Sequence, residues 1–193
     1  VSAVPIGRGG CALFTSDPVY PMSHPRLTAA ETALATAEAA LAADTPLTLK
    51  TEIDPATPYP VIVHMDDLYL GWNGLQAGVD YLQRFILKPL TDSYIAQWRE
   101  FDWANPGEPG YETRNGEWRE FSGGTPLIIE GCGAVNQLSA PLADVRVWLE
   151  VDQETRHQRW VAREGNSEHW AEWAAQEEEF YSREKSSELA DFT

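Results

Sequence analysis

Three short, largely β-branched runs in this chain end in carboxylates. Val61-Ile62-Val63-His64-Met65 leads into Asp66-Asp67-Leu68-Tyr69. Leu127-Ile128-Ile129 leads into Glu130-Gly131-Cys132-Gly133. Val145-Arg146-Val147-Trp148-Leu149-Glu150-Val151 leads into Asp152 and a run that reads as helix. Apolar strands separated by helical patterns predict an α/β fold, with a mostly parallel sheet flanked by helices on both faces. Ligands of such sheets bind beyond the carboxyl ends of the strands, which is where these acids fall.

A chain of 193 residues is long enough for one α/β domain with a sizeable core. Its 14 basic residues face 30 acidic ones, for a net charge of −16. That balance argues against nucleic acid, whose phosphates select clustered Lys and Arg. Small phosphates need only a few donors and stay open. Cys11 and Cys132 make no disulfide framework. His64, His157 and His169 share no metal-ligand spacing with each other or with the cysteines, so no zinc site is read. No apolar run approaches a membrane span and no secretory signal is visible, so a soluble, cytoplasmic protein without a membrane partner is expected. Nothing in the sequence specifies an oligomeric state.

Along the chain, residues 1–26 read as an irregular arm and Leu27–Ala43 as an Ala- and Glu-rich helix, so 1–43 is set apart from a domain over 44–193. Val79–Leu87 reads as a helix that stops before Pro89, and Ser93–Arg99 as a further helical turn or two. Residues 101–124 read as a loop-rich, partly β insertion carrying Trp103, Tyr111 and Trp118. Glu154–Glu164 and His169–Glu188 are helical patterns. Ala190-Asp191-Phe192 reads as the start of another strand.

Three constellations could carry chemistry. A carboxylate at Asp66 or Asp67 can take a proton from a hydroxyl or hold Mg²⁺ through water; the pair could equally be turn acids or a helix cap. Glu130, followed by small residues, suits a metal-associated acid, or a cap on the next helix. Arg156, Arg159 and Arg163 share one helix face and could clamp phosphate oxygens, or form a solvated face paired with local acids. Trp72 and Trp103 sit in Gly- or Pro-rich loops near the strand ends, where an aromatic can stack on a base or cover the core.

Together, His64-Met65-Asp66-Asp67-Leu68-Tyr69-Leu70-Gly71-Trp72, Leu127 through Ala134, the arginine helix and His169 through Glu179 resemble the uridine-kinase-like branch of the P-loop NTPases. The resemblance covers about residues 61–193. It implies a three-layer P-loop NTPase-like domain and an ATP-dependent kinase acting on a nucleoside, a nucleotide or another small hydroxyl compound. By resemblance, Asp66 is the catalytic base, and it flanks Mg²⁺ together with Glu130. Arg156, Arg159 and Arg163 form the lid over the ATP phosphates. Asp67, Tyr69, Trp72 and Trp103 line the acceptor pocket.

One departure is severe. The family's G-x-x-x-x-G-K-[ST] loop is absent, for the sequence has no Gly-Lys dipeptide, and Gly7-Arg8-Gly9-Gly10 lacks the lysine. The resemblance places that loop at Asp44-Thr45-Pro46, which makes Thr45 the nucleotide contact. Either the loop has been lost, or residues are missing from the sequence between Asp44 and Thr45. The second is expected, because deleting a central strand would strip both its neighbours of partners. A relative without the loop that binds a partner protein, and an NTP hydrolase or switch, are the alternative functions.

Overall fold

The computed structural model describes residues 9–14, 60–108 and 112–193, the first of these as backbone. All of them belong to one compact unit. The boundary expected near residue 43, the helix over 27–43 and the Asp44–Thr45 junction lie outside the described residues.

The domain is mixed α/β. A four-stranded sheet is built from β1 (Gly9–Phe14), β2 (Val61–His64), β5 (Leu127–Gly131) and β6 (Val145–Leu149), in the order β2-β5-β1-β6. β2 and β5 are parallel, with Val61 opposite Leu127 and His64 opposite Glu130. β1 runs antiparallel to both β5 and β6, so β2, β5 and β6 share one direction. The three strands expected from sequence therefore lie in one sheet. The ladders are less parallel than expected, because β1, within a segment that reads as an irregular arm, separates β5 from β6. Phe192 bridges Val147 in parallel on the far edge, in line with the strand start expected there.

A second sheet, β3 (Ala96–Arg99) with β4 (Trp118–Phe121), is an antiparallel ribbon. β4 supplies the expected β character of the insertion. β3 corrects the helical turns expected at Ser93–Arg99. Ala96 and Trp98 are buried while Gln97 is exposed, which is the two-residue period of a half-buried strand.

Helix α1 (Leu75–Leu82) continues through a π turn, Gln83–Leu87, into α2 (Lys88–Thr91). It thus passes Pro89 instead of stopping before it. Lys88 N–H bonds to the Gln83 carbonyl five residues back, and this wider turn eases the step into a proline with no donor of its own. α3 (Gln153–Glu164) is capped by Asp152, whose carboxylate accepts from Thr155 N–H at 2.9 Å, and ends at Gly165 with φ 76°. α4 (Trp170–Glu184) turns through Lys185 into α5 (Ser186–Leu189). Val63, Met65, Leu68, Ile129, Trp148, Trp160, Trp173 and Phe180 belong to one buried cluster.

The turn after β5 depends on two glycines. A Cβ on Gly131 would lie 2.9 Å from Met65 Cβ, and one on Gly133 2.5 Å from Val79 Cγ2; both residues have positive φ. Their lack of side chains lets the end of β5 close onto the chain leaving β2. Gly133→Ala is expected to cost at least about 1–3 kcal/mol in a denaturant melt, from backbone strain alone. An unchanged midpoint would show that the turn can relax.

Candidate functional site

The register of β2 against β5 sets the site. Pairing His64 with Glu130 brings the ends of both strands to one sheet edge. His64 Nδ1 meets Glu130 Oε1 there, and this hydrogen bond, above all, raises the imidazole pKa from its ordinary value. Met65–Asp67 then forms a 3₁₀ turn that carries both aspartates past the strand end.

Asp66 stands at the open end of this turn. Its residue surface is exposed, yet enough protein surrounds the carboxyl to raise its pKa from 3.8 to about 6, chiefly by desolvation and then by the charge of Glu130. Arg163, at the end of α3, pulls it the other way, so this guanidinium acts on the carboxyl electrostatically. Asp67 is also raised, first by desolvation and then by Glu100. Glu100 in turn holds Arg119, whose Nε lies 2.7 Å from Oε1. An open cleft of about 390 Å³ runs along β2, lined by His64, Asp67, Trp98, Glu100, Arg119 and Glu120 among others.

Beside the aspartates is an aromatic shelf. Trp72 is half-buried and central. Trp103 lies 4.8 Å and Trp160 5.1 Å from it, and the His169 ring stacks on it at 4.9 Å and 13°. Trp103 is 37% exposed and donates from Nε1 to the Asp66 carbonyl at 3.0 Å.

Two residues expected at the site lie in the core instead. Tyr69 is buried, packs edge-on against Trp173 at 4.8 Å and donates its hydroxyl to the Cys132 carbonyl at 2.8 Å. It lines no open acceptor pocket. Arg156 is also buried, and its Nη1 meets Glu177 Oε2 at 2.6 Å. Positions i and i+7 of a 12-residue helix differ in depth here. Arg156 enters the core while Arg163 reaches the rim. Arg159 is half-buried and engaged. Thr45 lies outside the described residues.

His64, Glu100, Arg119 and His169 were not assigned from sequence. For His64 the signal was available, since it directly precedes the acidic turn. Glu100 and Arg119 join Asp67 only through the β3–β4 ribbon, which sequence spacing does not reveal.

Could this edge hold Mg²⁺? Among the described residues no group of three or more His, Cys, Asp or Glu could form a protein cage for a metal. Mg²⁺ keeps several waters and needs only one or two carboxylates beside a phosphate. Asp66, just past the end of β2, and Glu130, near the end of β5, are the two carboxylates that would meet that looser demand, with Glu130 Oε1 already engaged by His64.

No protein-family model matches the chain, and no curated protein or solved structure matches it either. Among the described residues no helix is long and apolar enough to cross a membrane.

Two outcomes follow from this geometry. Arg156→Ala removes the ion-pair partner of Glu177 in the core and should cost about 3–5 kcal/mol, whereas Arg163→Ala should cost less than about 1 kcal/mol; chemical denaturation compares them. For Asp66 the sign is reversed from the usual carboxylate. Its folded pKa is raised, so the folded state holds the proton more tightly than the unfolded chain between pH 3.8 and about 6. Stability from this group is lost as pH rises through that window. Asp66→Asn should therefore melt at the same temperature as the parent or higher at pH 8, the gap closing toward pH 4.

Proposed function

We propose that the chain is an ATP-dependent phosphotransferase acting on a small hydroxyl compound, with a nucleoside or nucleotide as the leading class. One observation carries this reading: Asp66, with its raised pKa, stands beside Glu130 at the shared carboxyl edge of two parallel strands, with Arg163 acting on it. Phosphoryl transfer requires mainly positioning and charge neutralisation, plus a group that receives the acceptor's proton.

In this reading Asp66 is the base. A carboxylate with a pKa near 6 is ionised at neutral pH and is a stronger base than an ordinary aspartate. Arg163 offers its guanidinium to phosphate oxygens at the rim. Arg156 has a different role, tying α3 to the core so that Arg163 has a fixed mount. Trp72 and Trp103 offer a surface on which a planar acceptor can stack. Asp67, at the cleft along β2, is available to orient a donor on the acceptor. Mg²⁺, when bound, would be held by Glu130 and Asp66 with its waters, and would supply charge neutralisation at the phosphates. The resemblance assigns Thr45, outside the described residues, to the nucleotide, and the sequence has no Gly-Lys dipeptide to cradle its phosphates.

The test is phosphate transfer from ATP with Mg²⁺ to a panel of nucleosides and small alcohols, using the intact protein. A protein that neither binds nor hydrolyses ATP would sink the proposal. In the active protein, Asp66→Asn should lower turnover by about 10²-fold or more with little change in ATP affinity. Asp67→Asn should be milder. Turnover should fall as pH drops far enough to protonate Asp66, at about 6 for the metal-free carboxyl and lower with Mg²⁺ beside it, because protonation removes the base. If Asp67→Asn abolishes turnover and Asp66→Asn does not, the two roles are exchanged.

A further inference from the structure

The turn that carries Asp66 closes on a single carbonyl of its own. Leu68 N–H and Tyr69 N–H both donate to the Met65 carbonyl, at 2.8 and 3.1 Å. The next three carbonyls are each met by one stretch of distant chain. Trp103 Nε1 donates to Asp66 O at 3.0 Å, Phe101 N–H to Asp67 O at 2.7 Å, and Arg114 Nη2 to Leu68 O at 2.7 Å. The donors are themselves anchored. The Arg114 guanidinium lies 3.8 Å over the Tyr81 ring, and Trp103 sits 4.8 Å from Trp72 and 5.0 Å from Phe101.

Three successive peptide planes are thus held from outside, and the direction of the Asp66 side chain follows from them. A general base must reach hydrogen-bond distance of its proton, and a displacement of about 1 Å can cost about 10²-fold in rate. Building on the reading of Asp66 as base, we propose that Trp103 and Arg114 are positioning residues for Asp66. Trp103 also forms part of the aromatic shelf with the same side chain. An acceptor that stacks on Trp103 therefore presses on the group that aims the base. The insertion couples occupancy of the shelf to the placement of Asp66, and so favours acceptors with a planar face over aliphatic alcohols of similar size.

The test uses Trp103→Phe, which keeps a ring beside Trp72 but removes the donor, and Arg114→Lys, which keeps the charge but loses the planar fork. Amide hydrogen exchange is followed at Leu68 and Tyr69 and, as a control, in β5. Each variant should exchange about tenfold faster at the two turn amides with β5 unchanged, the scale of losing one hydrogen bond. Where turnover is measurable, kcat for a planar acceptor should fall about tenfold while KM for ATP holds, as expected when a base is displaced by a fraction of an ångström. Its preference over an aliphatic alcohol should narrow in Trp103→Phe. Unchanged exchange at both amides in both variants overturns the proposal, as does a turnover loss that appears only as a higher KM for ATP. If the parent protein transfers no phosphate, the proposed function falls, and the exchange measurement still decides whether Trp103 and Arg114 hold the turn. Should one variant fail to fold, the other carries the test.

Discussion

Glu177 is a carboxylate in the core with almost no access to water, 2% exposed. Such a group is tolerable only when its lone pairs are met and its charge is balanced. Here Oε2 takes Arg156 at 2.6 Å, while Oε1 takes Trp173 Nε1 at 2.7 Å and Cys132 Sγ at 3.1 Å. Those donors come from α3, from α4 itself and from the turn after β5. One acid therefore fixes the helix that bears Arg163, the helix that bears the aromatic core, and the turn that follows the strand of Glu130. The arrangement imposes a common origin on groups that must keep their distances to one another. Tyr181 reinforces it by accepting from Gly133 N–H at 3.1 Å, and Ser186 by donating to the Val135 carbonyl at 2.6 Å.

The electrostatic character of the site follows from its place in a strongly acidic chain. Desolvation raises the Asp66 pKa most, and Glu130 and Asp67 add to it; Arg163 and His64 oppose them. The balance leaves a carboxyl that titrates between the ordinary acid range and neutrality. A site with more cations would have lowered it and weakened its basicity. One without any would have kept it protonated further toward neutral pH. On the Asp67 side, Glu100 adds to that field and its partner Arg119 partly offsets it.

Much of the fold was legible because its signals are local. The runs at 61–65, 127–130 and 145–151 carry enough β-branched and apolar residues to be strands wherever they are placed, and acids at their ends mark one edge of the sheet. Asp152 and Gly165 bracket α3 through capping chemistry that is written in single residues. The misreadings were of another kind. Gly9–Phe14 gains its strand character from β5 and β6, which are remote in sequence. Ser93–Arg99 holds an alternation too short to outweigh helix propensity until β4 supplies its partner. For the site, residue types were sound guides to chemistry but not to depth. Tyr69 and Arg156 carry groups suited to a ligand, yet their neighbours draw both inward. Which face of a helix or turn meets the core is decided by packing across the chain, and spacing alone does not encode it.

The shelf around Trp72 has an optical consequence. Trp103, Trp160 and Trp173 lie with ring centres 4.8, 5.1 and 6.5 Å from it. Indoles this close share excitation, and their transitions couple into paired bands of opposite sign in circular dichroism. Light absorbed anywhere in the cluster migrates to the ring of lowest energy before it is emitted. The His169 ring lies flat against Trp72, within contact distance for quenching that emission. The chain thus has a chromophore assembled beside Asp66, and its spectrum registers the spacing of four rings without an added label.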